Sequence, residues 1–297
     1  KLLPHQEIAS FHQYYAKNAA NFSVPGSGKT IAVYATYHRL KLEKKVDSLF
    51  MIGPLTSFIA WEKDFEFFFG RSPQVKEFRG GQRSERKKSY RDDTPYDLYL
   101  STFQTVANDF NEIPNLLKKK KILLVLDKAH YIKQQGGEWA QAILNFCQKA
   151  EYRIALTGTP MPQAYEDLFN IFDFLYPRYP ILSGRDKFKI RDFQAKENDI
   201  EAQQILNDTI YPFFYRVKKK DLGLKAQNIE KINIRMNNEE RFIYDAVKNK
   251  ILHENAEEAF QNISILTRLW KARIIRLRQI FSYCALLNNA LDIISKN

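Results

Sequence analysis

The chain has 297 residues, 44% of them apolar and 14% aromatic, which is enough for a sizeable core and, by length, about two domains. Its 46 Lys and Arg against 34 Asp and Glu leave a formal net charge of +12, a balance that favours a polyanionic partner such as nucleic acid. No run of about eighteen apolar residues exists and the opening residues lack a signal-peptide pattern, so a membrane-spanning helix is excluded and no membrane partner is expected.

In chain order, Leu3-Pro4-His5-Gln6 precedes a helical stretch, and the Gln6 amide, which both donates and accepts, suits an adenine edge. Residues 19–24 read as a short buried strand and lead into Ser23-Val24-Pro25-Gly26-Ser27-Gly28-Lys29-Thr30. Gly26 and Gly28 let the backbone curl into a nest whose N–H groups converge on an anion, and residues 30–42 carry helical spacing, which supplies a helix N-terminus. Lys29 would reach the β- and γ-phosphates of ATP, and the Thr30 hydroxyl would hold Mg2+. The strict P-loop pattern has glycine where this chain has Ser23, so the match rests on Pro25 to Thr30 in a strand–loop–helix context.

Residues 47–53 read as a second buried strand, after which Pro54-Leu55-Thr56-Ser57 opens a helix containing Trp61 and Asp64. Residues 75–81 and 96–102 read as two more strands, separated by a basic helix around Arg83 to Arg91. Residues 122–126 (ILLVL) form the most apolar strand and deliver Asp127 at its C-terminal end, the usual place for a second Mg2+-binding carboxylate. Residues 152–156 give another strand, ending in Thr157-Gly158-Thr159-Pro160, a hydroxyl-rich turn suited to reading a γ-phosphate. Cys147 and Cys284 lie far apart in helical-looking segments and read as buried thiols of a reducing compartment.

These segments together resemble the first motor lobe of the Swi/Snf family of superfamily-two helicase-like ATPases. Leu3 to Gln6, Pro25 to Thr30, and the set Pro54, Leu55, Trp61, Asp64 and Phe65 are similar to its opening motifs. Ser101-Thr102-Phe103, the DEAH-like Asp127-Lys128-Ala129-His130, and residues 156–160 and 166–177 resemble those that follow. Residues 214–221, 239–245 and 277–287 resemble segments specific to this family. The resemblance implies a RecA-like parallel sheet flanked by helices, over residues 1–178, and a mostly helical extension over residues 179–297. It also implies a catalytic set of Lys29, Asp127, Lys128 and His130, with ATP held by Gln6, Pro25, Gly26, Ser27, Gly28, Lys29 and Thr30, and Mg2+ by Thr30 and Asp127. Double-stranded DNA is the implied partner, at Thr56, Thr102, Thr157, Thr159, Arg216 and Lys218, with the basic stripe Arg268, Lys271, Arg273, Arg276 and Arg278 as a further phosphate surface.

Two departures bear on activity. Lys128 stands where the family has the glutamate that positions the attacking water, and the resemblance ends where a second RecA-like lobe would begin. The first residue is Lys1, and the sequence reads as a fragment of a longer polypeptide. The expected function is the ATP-binding lobe of a duplex-DNA translocase that remodels or strips proteins on DNA, with a prokaryotic restriction or defence role as one setting. The alternative is a hydrolysis-deficient, nucleotide-gated DNA-binding or scaffold module. A small-molecule kinase is the weakest reading, because it leaves the later motifs without a task. The expected location follows the DNA: cytoplasmic on a nucleoid in a prokaryote, nuclear in a eukaryote.

Overall fold

The computed structural model describes residues 1–161, 164–196 and 198–223, with isolated positions beyond. Seven strands make one wholly parallel sheet: β1 (Asn18–Asn21), β2 (Ser48–Ile52), β3 (Val75–Phe78), β4 (Leu98–Ser101), β5 (Ile122–Asp127), β6 (Tyr152–Leu156) and β7 (Phe214–Tyr215). Their order across the sheet is β3-β4-β2-β5-β6-β1-β7. α1 (Pro4–Ala16) precedes the first strand; parallel neighbours need crossovers, which the later helices supply: α2 (Lys29–Leu42), α3 (Phe58–Phe69), α4 (Arg83–Ser89), α5 (Phe103–Asn108), α6 (Ile113–Lys119), α7 (Glu138–Phe146), α8 (Phe169–Leu175), α9 (Gly184–Ala195) and α10 (Asp199–Ile210).

The central strands are largely apolar because both faces are covered; the exceptions are Ser48, Asp127 at the end of β5, and Arg153, whose buried guanidinium donates to Leu175 O and Cys147 O. Alternation divides their side chains. Leu49, Met51, Leu123, Val125 and Ile154 pack with Val33, Tyr34, Trp61 and Phe65 of α2 and α3. Phe50, Ile52, Leu124 and Leu126 join the larger core of α5 to α8. Ile190 of α9, with Ala202, Leu206 and Ile210 of α10, belongs to that same core.

β1 to β4 are each shorter than expected. The first ends at Asn21, where β7 also ends at Tyr215; beyond it Phe22 N donates to Tyr215 O and Val24 N to Val217 O. The third ends at Phe78, because Gly80 and Gly81 adopt φ of 55° and 63° and turn the chain away. The chain divides into two compact units, Lys1–Lys225 and Ala226–Asn297. The change in pattern expected after residue 178 falls inside the first unit, because α9 and α10 contribute to its core and β7 to its sheet. Cys147 is buried with a free thiol. Apart from isolated positions, the expected strand at 229–236, the helices at 238–287, Cys284 and the basic stripe from Arg268 to Arg278 lie outside the described residues. Among the described residues no helix is long and apolar enough to cross a membrane.

Candidate functional site

A wholly parallel sheet places every strand's C-terminal end on one edge, so the loops after β1, β2, β4, β5, β6 and β7 gather there. The loop after β1 carries the phosphate-type nest. Gly26 and Gly28 sit at φ of 80° and 76°, in the left-handed region that glycine enters without strain. A Cβ at Gly28 would lie 2.2 Å from Gln6 Nε2, so a side chain here would push the Gln6 amide away as well as strain the backbone.

Gln6 is largely committed to the protein. Its Oε1 accepts from Leu3 N at 3.0 Å at the start of α1, and its Nε2 donates to Ser27 O at 3.5 Å. His5 Nε2 also lies 2.9 Å from Ser27 O, a brace on the loop that sequence reasoning missed. One amide hydrogen and spare lone-pair capacity are left to Gln6 for an adenine edge.

Ser23 proves to be a structural fastening. Its buried hydroxyl accepts from Val217 N at 3.1 Å, and Val24 N donates to Val217 O at 3.1 Å, tying the loop to the segment after β7. A glycine there would leave the buried Val217 N–H without this acceptor.

The Lys29 ammonium curls into the nest and donates to Ser23 O at 2.8 Å and Val24 O at 3.2 Å. Burial, then the charge of Lys128, lower its pKa to about 8 against the opposing pull of Asp127. Ser27 Oγ is buried and has no hydrogen-bond partner among the described residues. An unsatisfied hydroxyl and a poorly solvated ammonium inside a glycine-lined cradle both gain from a bound phosphate, so the residues present fit a nucleotide triphosphate.

Asp127 ends β5 against α3, where Trp61 Nε1 donates to Asp127 Oδ2 at 3.2 Å. Gly53, at the end of β2, makes room for it, since a Cβ there would lie 3.1 Å from Asp127 Cβ. One turn further along α3, burial raises the Asp64 pKa, and the Thr30 hydroxyl near its carboxyl opposes the rise. Neither contact was anticipated, although Trp61 and Asp64 stand three apart on one face of a helix following a strand end. A hydroxyl and a carboxylate suit Mg2+, which takes few protein ligands and completes its shell with phosphate and water.

Lys128 is exposed and adopts φ 57°, ψ 47° at the turn after β5. His130 Nδ1 lies 2.8 Å from Thr157 Oγ1 and 3.4 Å from Thr159 Oγ1, joining the turn after β5 to that after β6. Burial, followed by Lys128 and Lys133, lowers the His130 pKa, which keeps the imidazole neutral at pH 7.

The expected DNA contacts separate into groups. Thr157 is withdrawn from that role, because it is fully buried with its hydroxyl against His130 and cannot reach a DNA backbone. Thr56 is exposed in the short turn Leu55–Ser57 after β2, Thr159 is exposed after β6, and Thr102 caps α5 by accepting from Thr105 N at 3.1 Å. Arg216 and Lys218 are exposed after β7, five strand positions from β4, or roughly 24 Å at ~4.8 Å per strand. Thr102 and Arg216 therefore cannot meet at one phosphate.

A parallel RecA-like sheet with a P-loop after β1 and a strand-end aspartate after β5 defines the class of P-loop nucleotide-binding lobes. Residues 23–286 match the SNF2-related domain, and the chain belongs to that family. It is similar to the ATP-dependent helicase fft1 of Schizosaccharomyces pombe, 27% identical over 223 residues, 69% of this chain and 23% of that protein. An uncharacterized ATP-dependent helicase of Mycoplasma genitalium is 28% identical over 254 residues, 84% of this chain and 24% of that protein. The chain thus spans about a quarter of the length of these relatives. Among solved structures, the Sulfolobus solfataricus SWI2/SNF2 ATPase core in complex with dsDNA matches with a TM-score of 0.62 and 26% identity, covering 97% of this chain and 60% of that one.

Proposed function

We propose that this chain is the ATP-binding lobe of a double-stranded-DNA-dependent translocase, working with a second RecA-like lobe of the parent protein. The observation that carries this reading is the cradle itself: Lys29 and the unsatisfied Ser27 hydroxyl enclosed by Gly26, Gly28 and Gln6, with Thr30 and Asp127 beside it. ATP binds through its phosphates to this nest, and Mg2+, held by Thr30 and Asp127, supplies charge neutralisation. Neutral His130, set against Thr157 and Thr159, relates the turn after β5 to the turn after β6. DNA lies along the same edge, touched by Thr56, Thr102 and Thr159 on one side and by Arg216 and Lys218 on the other. The DNA complex of the Sulfolobus solfataricus core is consistent with that partner. Such a protein works wherever its DNA lies.

Lys128 favours a narrower reading of the chain as it stands: it binds ATP without turning it over. A residue that orients an attacking water must accept a hydrogen bond, and an ammonium has three donors and no acceptor.

The test of the nucleotide site is titration calorimetry with Mg-ATP on the parent chain and Lys29→Ala. The variant should bind at least tenfold more weakly, about 1.4 kcal/mol or more. Equal affinities overturn the reading.

A further inference from the structure

We propose that Trp61 and Asp64 of α3 are positioning residues for the Mg2+ of the bound nucleotide, an inference that rests on the nucleotide site above. Trp61 is buried, and its backbone carbonyl is anchored by Tyr34 Oη of α2 at 2.6 Å. The indole N–H therefore projects from a fixed point and takes one oxygen of Asp127 at 3.2 Å, leaving the other for a cation or its water. Trp61 is packed edge-on against Tyr34, ring centroids 5.5 Å apart, so the ring cannot swing aside without disturbing the core.

Asp64 completes the arrangement from the same helix face. A threonine hydroxyl has one hydrogen and two lone pairs, and a carboxylate acceptor fixes where the hydrogen goes. The Thr30 hydroxyl lies close enough to Asp64 to lower its pKa, and a hydrogen turned toward that carboxylate would leave the Thr30 oxygen its lone pairs for a cation. The two metal-side groups come from different parts of the chain, Thr30 from the start of α2 and Asp127 from the end of β5. Among the described residues, α3 meets both, holding Asp127 through the Trp61 indole and setting Asp64 beside Thr30. Gly53 adds a steric condition, since any side chain there would press on Asp127. Partners of this outer kind orient a ligand without touching the metal, and their loss costs about 10- to 100-fold in metal affinity in known sites.

The experiment measures ADP affinity by calorimetry with and without Mg2+, for the parent chain, Trp61→Phe, Asp64→Leu and Asp64→Asn, with a melting curve for each. Trp61→Phe keeps an aromatic ring and removes the N–H; Asp64→Asn keeps an acceptor oxygen that Asp64→Leu removes. Trp61→Phe and Asp64→Leu should bind metal-free ADP as the parent does and lose about tenfold of the tightening that Mg2+ confers, with Asp64→Asn retaining it. The inference is overturned if Mg2+ tightens ADP equally in all four proteins. It is overturned too if metal-free and metal-loaded affinities fall by the same factor, which marks a packing role. Should Trp61→Phe melt early, the Asp64 pair decides alone, because Asp64 is only half-buried. A parent chain that binds no ADP overturns the nucleotide reading itself, and this inference with it.

Discussion

Lys128 concentrates the question of activity in one side chain. It follows the last residue of β5 in the left-handed region, a conformation that costs a residue with a Cβ about 1 kcal/mol or more. Its carbonyl accepts from Tyr131 N at 2.9 Å, so the turn is set by backbone, and exchanging the exposed side chain should leave the fold intact. Water activation needs an acceptor, and the arginine of a second lobe contributes on the order of 10³ to 10⁵ in rate. Lys128→Glu in residues 1–297 alone is therefore expected to restore no hydrolysis. The same substitution in a longer protein carrying a second lobe should give DNA-stimulated phosphate release. Robust DNA-stimulated ATPase activity by the unmodified 297-residue chain would contradict this account.

At the scale of elements, Asp97 clamps the corner opposite the nucleotide edge. Preceding β4, it accepts from Arg71 through both oxygens at 2.8 Å, from Gln74 N at 3.1 Å and from Lys41 of α2 at 3.1 Å. Burial opposes its charge, yet the bonds from Arg71, Gln74 and Lys41 prevail and hold the carboxyl well below the usual carboxylate range. A depressed pKa in the folded state gives stability that is present above the unfolded value of about 4 and lost as pH falls below it. Asp97→Asn should accordingly cost about 2 kcal/mol at pH 7. Urea unfolding of the two proteins should show this gap narrowing below about pH 4; a gap independent of pH would assign the loss to packing.

Over the whole molecule the relevant facts are a net charge of +12 and a single edge that carries the candidate contacts among the described residues. Arg216, Lys218, Lys219 and Lys220 are exposed there, and phosphate contacts made by such side chains release counterions without reading bases. Binding to duplex DNA is expected to be weak and insensitive to sequence. The logarithm of the binding constant should fall with the logarithm of salt concentration at about −0.9 per phosphate neutralised. Fluorescence anisotropy on two unrelated duplexes across a salt series checks this, and a flat response or a preference for one sequence excludes the mode. Replacing Arg216 and Lys218 together should lower the slope by about 2, since each neutralises about one phosphate.

What the amino-acid sequence determined by itself was local. The apolar run at 122–126 and the largely apolar ones at 48–52 and 152–156 became central strands, because a strand buried on both faces needs no polar alternation. Gly26, Gly28, Lys29 and Thr30 were legible as a nest since backbone freedom and charge are carried by the residues themselves. The tertiary structure alone decided the order of the strands, and with it which ends meet. Trp61 reaches Asp127 across 66 positions and Val217 reaches Ser23 across 194, contacts for which helical or strand periodicity has no signal. Thr157 was read as a surface contact because a hydroxyl in a turn near a strand end looks alike whether it faces solvent or a neighbouring turn. The sheet placed His130 beside it and settled the matter: periodicity reports which face a residue occupies, and packing chooses its partner.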